Sequence, residues 1–197
     1  MVASGVTVVT LHYVRVVGGT ARGRPLRAPR GQATRPTSDR VREAVFDMLS
    51  SMDRLEDSAV LDLFAGSGAL GIECLSRGAR SAVMVDHAPE AVAAIRQNLA
   101  VLGPGGEKAT VLRSDALAYA SGAPFFDLVL ADPPYGFERW NELLERLVSR
   151  TGLLVAETSA SPWSPGDGWE TVKVKRYGGT VVSIAQPVPA PAEEGHT

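Results

Sequence analysis

Runs of β-branched and aliphatic residues take turns along this chain with segments whose apolar positions recur every three to four residues, a pattern that predicts strands alternating with helices. AVLDLF (59–64), SAVMVD (81–86), ATVLRSD (109–115), FDLVLAD (126–132) and LLVAET (153–158) read as strands. Their near-continuous apolar character marks strands covered on both faces. Between them, a Gly-rich turn leads into an apolar helical segment that ends at Arg77 and Gly78. Pro89 suits a helix start, with Val92, Ile95, Leu99 and Leu102 as its buried stripe and Gly103 as its end. Trp140, Leu143, Leu144, Leu147 and Val148 give a further amphipathic helix. Upstream, Val41, Ala44, Val45, Met48, Leu49 and Met52 keep helical spacing, and Ser38 or Asp39 can cap that helix just past Pro36. At the two ends the pattern changes. VTVVTLHYVRVV (6–17) breaks at Gly18-Gly19 and predicts an N-terminal hairpin appendage, while TVKVKRY (171–177) and TVVSIAQ (180–186) flank Gly178-Gly179 as a closing antiparallel hairpin. The tail from Pro187 is expected to be disordered.

This order implies an α/β fold, a Rossmann-like, doubly wound, mostly parallel sheet with helices on both faces. The expected division is an N-terminal extension, hairpin and basic arm over 1–36, the main domain over 37–186, and the tail over 187–197. At 197 residues the chain suits one main domain. Its apolar runs fall short of the about 20 residues that a membrane span needs. MVASGVTVVTLHYV lacks the features of a secretory signal, so a cytoplasmic location is expected. One cysteine, Cys74, and three scattered histidines, His12, His87 and His196, offer no metal-ligand spacing, so no metal is expected.

The formal charge of −2 conceals an asymmetry. Between Arg15 and Arg42 stand eight Arg against the single acid Asp39, a net of +7 that leaves −9 on the rest. A Gly- and Pro-rich block without Lys, carrying Arg15, Arg22, Arg24, Arg27, Arg30 and Arg35, resembles a phosphate-contacting arm. A merely solubilising segment is the alternative. Contact with nucleic acid should in either case be local.

Ligands of doubly wound sheets sit outside the carboxyl ends of the strands. The first of these strands runs LDLFAGSGALG, in which Gly66-Ser67-Gly68-Ala-Leu-Gly71, next to Phe64, matches G-x-G-x-x-G and suggests a nucleotide-like cofactor without distinguishing among them. The neighbouring acids separate the possibilities. Asp62, Asp86, Asp115 and Asp132 stand at the ends of four successive strands. A carboxylate beside the glycine turn opposes the pyrophosphate of a dinucleotide. S-adenosylmethionine has no phosphate, and its cationic groups, ribose hydroxyls and adenine amine all suit carboxylates. Asp86 is expected at the ribose, with His87 either touching ribose or adenine or simply exposed. Asp115, followed by Ala116, is expected at the adenine edge, and Asp62 near the methionyl ammonium. Asp132-Pro133-Pro134-Tyr135 ends the fourth strand, and two prolines force a rigid turn there. Asp132 and the Pro133 carbonyl can accept the hydrogens of a nucleobase amine and localise its lone pair, and Tyr135 can stack on an extruded base.

RVVGGTARGRPL (15–26), TRPTSDRVREAVFDML (34–49), LDLFAGSGALGIECLSRGA (61–79) and ADPPYG (131–136) together resemble the RsmD family, bacterial methyltransferases of the guanine N2 amine in small-subunit ribosomal RNA. The resemblance runs from residue 15 to about 186. It implies a class I S-adenosylmethionine-dependent methyltransferase that acts on 16S rRNA in an assembled or nearly assembled small subunit and yields S-adenosylhomocysteine. It also implies that the N-terminal hairpin and loop touch RNA and that Thr37 and Arg40 lie beside the methionyl end of the cofactor. A monomer is expected, with neither DNA nor a membrane as partner. Gly178-Gly179-Thr180 departs from the family, which often has an Asp at that turn. Three other readings remain open: a DNA adenine-N6 or cytosine-N4 methyltransferase, since D-P-P-Y serves any exocyclic amine; an NAD-dependent oxidoreductase; and a non-catalytic RNA-binding protein.

Overall fold

The computed structural model describes residues 14–29, 39–159 and 164–188. The chain enters through a two-residue ladder of β1 (Val14–Arg15) with β2 (Pro25–Leu26), joined through a single 3-10 turn at Gly19–Ala21. Helix α1 (Asp39–Ser51) follows, and then come β3 (Ala59–Leu63), α2 (Ala69–Ser76), β4 (Ser81–Asp86), α3 (Pro89–Asn98), β5 (Ala109–Arg113), α4 (Ala116–Gly122), β6 (Phe126–Ala131), α5 (Trp140–Leu147), β7 (Thr151–Ser159), β8 (Trp169–Tyr177) and β9 (Thr180–Pro187). Seven strands form one sheet in the order β5-β4-β3-β6-β7-β9-β8. The first five run parallel, while β9 pairs antiparallel with both β7 and β8. The order in which strands are added reverses between β3 and β6, and there the doubly wound fold opens a crevice.

Alternation along the strands feeds two cores. Val60, Met84, Leu128, Leu130, Leu153, Val155, Val182 and Ile184 bury against α1, α2 and α3 on the first face. Leu61, Leu63, Val85, Val129, Leu154, Ala156 and Ala185 bury against α4 and α5 on the second. The sequence-predicted strands and principal helices are present, with three differences. The helix from Pro89 ends at Asn98, and the chain continues as 3-10 turns over Leu99–Lys108, because Gly103, at φ 56°, stands before Pro104 and takes the chain out of helical geometry. β5 ends at Arg113, two residues early. The short α4 has no counterpart in the periodicity reading, since the face it buries, Ala116, Leu117 and Ala120, is mostly alanine and gives little apolar contrast. Residues 6–13 of the expected first strand lie outside the described residues.

The basic N-terminal segment is docked onto the sheet's first face rather than projecting as an appendage. Val16 and Leu26 are fully buried in the first core. Polar groups at the far end of α2 secure the backbone between them. The carboxylate of Glu73, itself fully buried, accepts from the Val17 N–H at 2.7 Å and from Arg77 Nε at 2.7 Å. Ser76 Oγ donates to the Gly18 carbonyl at 2.7 Å and accepts from the Ala21 N–H at 2.9 Å. Gly19 sits at φ +70°, and a Cβ there would lie 1.9 Å from the Ser76 carbonyl oxygen. Gly19→Ala combines a positive φ with a backbone clash and is expected to cost about 3 kcal/mol or more, read as a lowered midpoint in chemical denaturation.

Candidate active site

Parallel register sets the site. Leu63 lies opposite both Val85 and Ala131, and Ala131 lies opposite Ala156. The residues that follow these, Asp86, Phe64, Asp132 and Glu157, therefore form one row across four strand ends, with Asp62 one pleat below Phe64. A cavity of about 380 Å³ opens over this row. Among the sequence-predicted residues, Asp62, Phe64, Gly66, Ser67, Asp86, His87, Asp132, Pro133, Pro134 and Tyr135 line it.

Asp62 is 1% exposed. Its Oδ2 accepts from the Gly71 N–H at 2.9 Å, and Oδ1 is buried with no hydrogen-bond partner among the described residues. Burial pushes its carboxyl up from 3.8 to about 7; the charges of Asp132 and Asp86 push the same way, and the Gly71 N–H opposes them. Gly71 permits this geometry, since a Cβ there would come within 2.7 Å of Met84 Cε and 3.1 Å of Asp62 Oδ2. Asp86 secures the glycine turn: Oδ2 accepts from the Gly66 N–H at 2.8 Å and Oδ1 from the Ala88 N–H at 2.9 Å. Phe64, at the head of that turn, holds φ at +62°, a conformation that costs a bulky side chain energy and that clusters at functional sites. Its ring meets Phe137 edge-on with centroids 5.1 Å apart, and Phe137 meets Trp140 at 5.4 Å. The aromatic steps brace the turn after Asp132, where the Phe137 N–H donates to the Pro134 carbonyl at 3.2 Å. Tyr135 is 71% exposed at the mouth. His87 is exposed, with Nδ1 3.6 Å from Asp86 Oδ1.

Other predicted residues stand elsewhere. Asp115 and Ala116 are not among the cavity-lining residues. Asp115 is exposed and accepts from the Ala118 N–H at 2.9 Å, capping α4, and Ala116 is buried in that helix's first turn. Three of the four predicted carboxylates, Asp62, Asp86 and Asp132, line the cavity, joined by Glu157. Arg40 is exposed on α1 and is not among the lining residues. Thr37, Arg30 and Arg35 lie outside the described residues. Arg15, Arg22, Arg24 and Arg27 are exposed, and Arg15 Nε pairs with Asp39 at 2.7 Å.

Sequence reasoning missed two contributors, Arg42 and Asn98. Arg42, only 2% exposed, lines the cavity; its Nη2 donates to the Arg15 carbonyl at 2.5 Å and pairs with Asp39 at 2.7 Å. Its place one position after Val41, on an otherwise apolar stripe, was the available signal. Glu157 extends the row because it follows the apolar strand LLVA as Asp132 follows LVLA. Asn98, 3% exposed, accepts from the Arg27 N–H at 2.8 Å and donates to the carbonyls of Arg27 at 2.9 Å and Ser67 at 2.8 Å. One amide thus ties the basic segment to the glycine turn, and nothing in its helical context announced that.

The strand order, the glycine turn and the carboxylates beside it define a class I S-adenosylmethionine-dependent methyltransferase fold. The same fold occurs at 17% identity and a TM-score of 0.63 in magnesium protoporphyrin IX methyltransferase (ChlM) from Synechocystis PCC 6803, solved with bound SAM, which covers 80% of this chain and 87% of that one. Residues 14–186 match the family described as Conserved hypothetical protein 95, and the chain belongs to that family, the RsmD family. The ribosomal RNA small subunit methyltransferase D of Haemophilus influenzae is 32% identical over 174 residues, 84% of this chain and 89% of that protein. A solved protein from a Thermus species, described only as a hypothetical protein, is 30% identical with a TM-score of 0.73, covering 88% of this chain and 99% of that one.

Proposed function

We propose that this protein transfers a methyl group from S-adenosylmethionine to the N2 amine of a guanine in 16S ribosomal RNA, acting on the assembled small subunit. The observation that carries the reading is the meeting, in one cavity, of Asp62 Oδ1, a buried carboxylate oxygen without a partner among the described residues, with the carboxylate and proline turn of Asp132-Pro133-Pro134-Tyr135. A buried carboxylate that lacks a donor suits a cationic ligand and rejects a pyrophosphate, which disfavours a nicotinamide cofactor. The residues therefore fit S-adenosylmethionine, which supplies an electrophilic methyl group when bound.

Asp62 would face the methionyl ammonium and Asp86, already fixed by two backbone N–H groups, would receive ribose hydroxyls. Asp132 and the Pro133 carbonyl would accept the two amine hydrogens of guanine, turning the delocalised nitrogen lone pair toward the methyl carbon. Nitrogen would attack before any proton leaves, the new N–C bond forming as the S–C bond breaks to leave S-adenosylhomocysteine, and the acidified amine would then pass its proton to Asp132 or to water. Tyr135, exposed at the rim, is placed to stack on a base taken out of its helix. RNA is favoured over DNA by the docked basic segment and by the substrate for which the Haemophilus relative is named.

Small subunits from a strain lacking the enzyme, incubated with labelled S-adenosylmethionine and then mapped, should carry label on N2 of one guanine of the RNA. Label on an adenine or cytosine amine, or calorimetric binding of NADH in place of S-adenosylhomocysteine, would replace this reading with one of its rivals. Replacing Arg22, Arg24 and Arg27 together by Ala should weaken subunit binding about tenfold or more at moderate salt and flatten its salt dependence, because up to three phosphate contacts disappear. S-adenosylhomocysteine affinity should hold. A matching loss of cofactor affinity would mean that these arginines do not act on RNA alone.

A further inference from the structure

Positive charge gathers in a second place. Residues 171–186 hold Lys173, Lys175 and Arg176 and no acid, and two of the chain's three lysines are here. Outside this stretch and residues 15–42, nine basic residues face twenty-one acidic ones. β8 carries the three cations along the edge of the sheet. Register fixes where they stand. Glu157 lies opposite Val182, and Val182 opposite Lys175, so Lys175 continues the row of Asp86, Phe64, Asp132 and Glu157. Lys173 lies opposite Ile184. Val182 and Ile184 are buried in the first core, and residues directly opposite in an antiparallel pair share a face. Both lysines thus project from the face that carries Asp62, Asp132 and Glu157 and that the N-terminal segment covers. Three strand spacings separate Asp132 from Lys175, about 14 Å, the length of roughly four stacked nucleotides.

We propose that Lys173 and Lys175 on β8 form a second contact for the RNA phosphate backbone, on the flank of the cavity away from Arg22, Arg24 and Arg27. The inference rests on the RNA reading above. A target base entering the cavity leaves its strand passing in both directions, and a protein that is acidic elsewhere needs a cation on each side to hold it. Carboxylates along the cavity would otherwise repel the backbone on the β7–β8 side. Lysines on an edge strand can also serve only to block pairing with another sheet, a role that does not depend on RNA.

The test compares wild type with Lys173→Gln/Lys175→Gln, with Lys173→Glu/Lys175→Glu and with the arginine pair, each first shown to be monodisperse and folded. In the glutamine pair, KM for unmethylated small subunits should rise about fivefold to tenfold, with kcat at saturating subunit changed less than about twofold, and the slope of log binding constant against log salt should fall by roughly 1.4–1.8, the share of two phosphates. The glutamate pair should lose more, and the arginine pair should restore wild-type KM. S-adenosylhomocysteine binding should be the same in all four. An unchanged KM and salt slope in the glutamine and glutamate pairs overturns the inference alone and leaves edge protection as the lysines' role. Failure of the wild type to bind or methylate subunits would instead remove the RNA reading, and the inference with it.

Discussion

Asp132→Ala should bind S-adenosylhomocysteine nearly as well as the wild type and incorporate methyl groups slower by on the order of 10³-fold or more, since it removes the positioning of the amine and an acceptor for its proton. Asp132 would hold both roles because β6 ends just before it and Pro133-Pro134 restrict the chain that follows. Asp132→Asn separates the parts. The amide retains an acceptor oxygen but not the charge, and its activity should fall between the two. Filter-bound label from a methyl-tritiated donor, beside calorimetry of the product, measures both quantities on one preparation. Methyl incorporation by Asp132→Ala within tenfold of wild type would show that some other group grips the amine, with Glu157, next in the row, the first to be replaced.

Asp62→Asn is expected to make the ligand-free protein more stable and the cofactor site worse. The Asp62 carboxyl is raised from 3.8 to about 7 by burial, by Asp132 and by Asp86. A folded-state value above the unfolded one means that its favourable contribution is whole below about pH 4 and is lost as pH rises through about 7. At pH 8 the ionised carboxylate costs the empty protein about 4 kcal/mol relative to its neutral form. The neutral amide escapes most of that, and at pH 8 the melting temperature should rise by about 5–10 °C. S-adenosylhomocysteine keeps the methionyl ammonium, so its affinity should fall by about tenfold to a hundredfold, the worth of a charge-assisted hydrogen bond. Wild-type affinity should strengthen from pH 6 to pH 8 as Asp62 ionises, and that of the variant should stay flat. Equal pH profiles would detach Asp62 from the ammonium.

The central sheet was legible because its strands are buried on both faces and bounded by Gly, Pro or Asp; SAVMVD became β4 residue for residue. Candidate site acids were legible where an apolar strand stops at a carboxylate, as at Asp86 and Asp132, and Asp62 as the one acid inside the strand that leads into the glycine turn. At Asp115 the chain turns at once into a helix and the side chain caps it; an acid at a strand end and an acid at a helix start are one pattern in a βα unit. Long-range polar matches were not legible. Glu73, Ser76 and Asn98 meet partners between 31 and 71 positions away, and no local periodicity encodes which backbone a buried carboxylate or amide will meet. Arg42 reads as one more cation in a basic block until its burial is seen.

Helix α2 begins at Ala69, just past Gly68 at the close of the glycine turn, and ends at Ser76, which holds Gly18. Eight residues at 1.5 Å make a rod about 12 Å long, with the glycine turn at one end and the backbone of Gly18 and Ala21 held at the other. Such a rod leaves no slack for recombination. A chimera that imports the first thirty residues of a relative should lose stability unless matching partners at positions 73, 76 and 98 travel with them, so this segment would exchange between relatives as a unit of scattered positions and not as a detachable module.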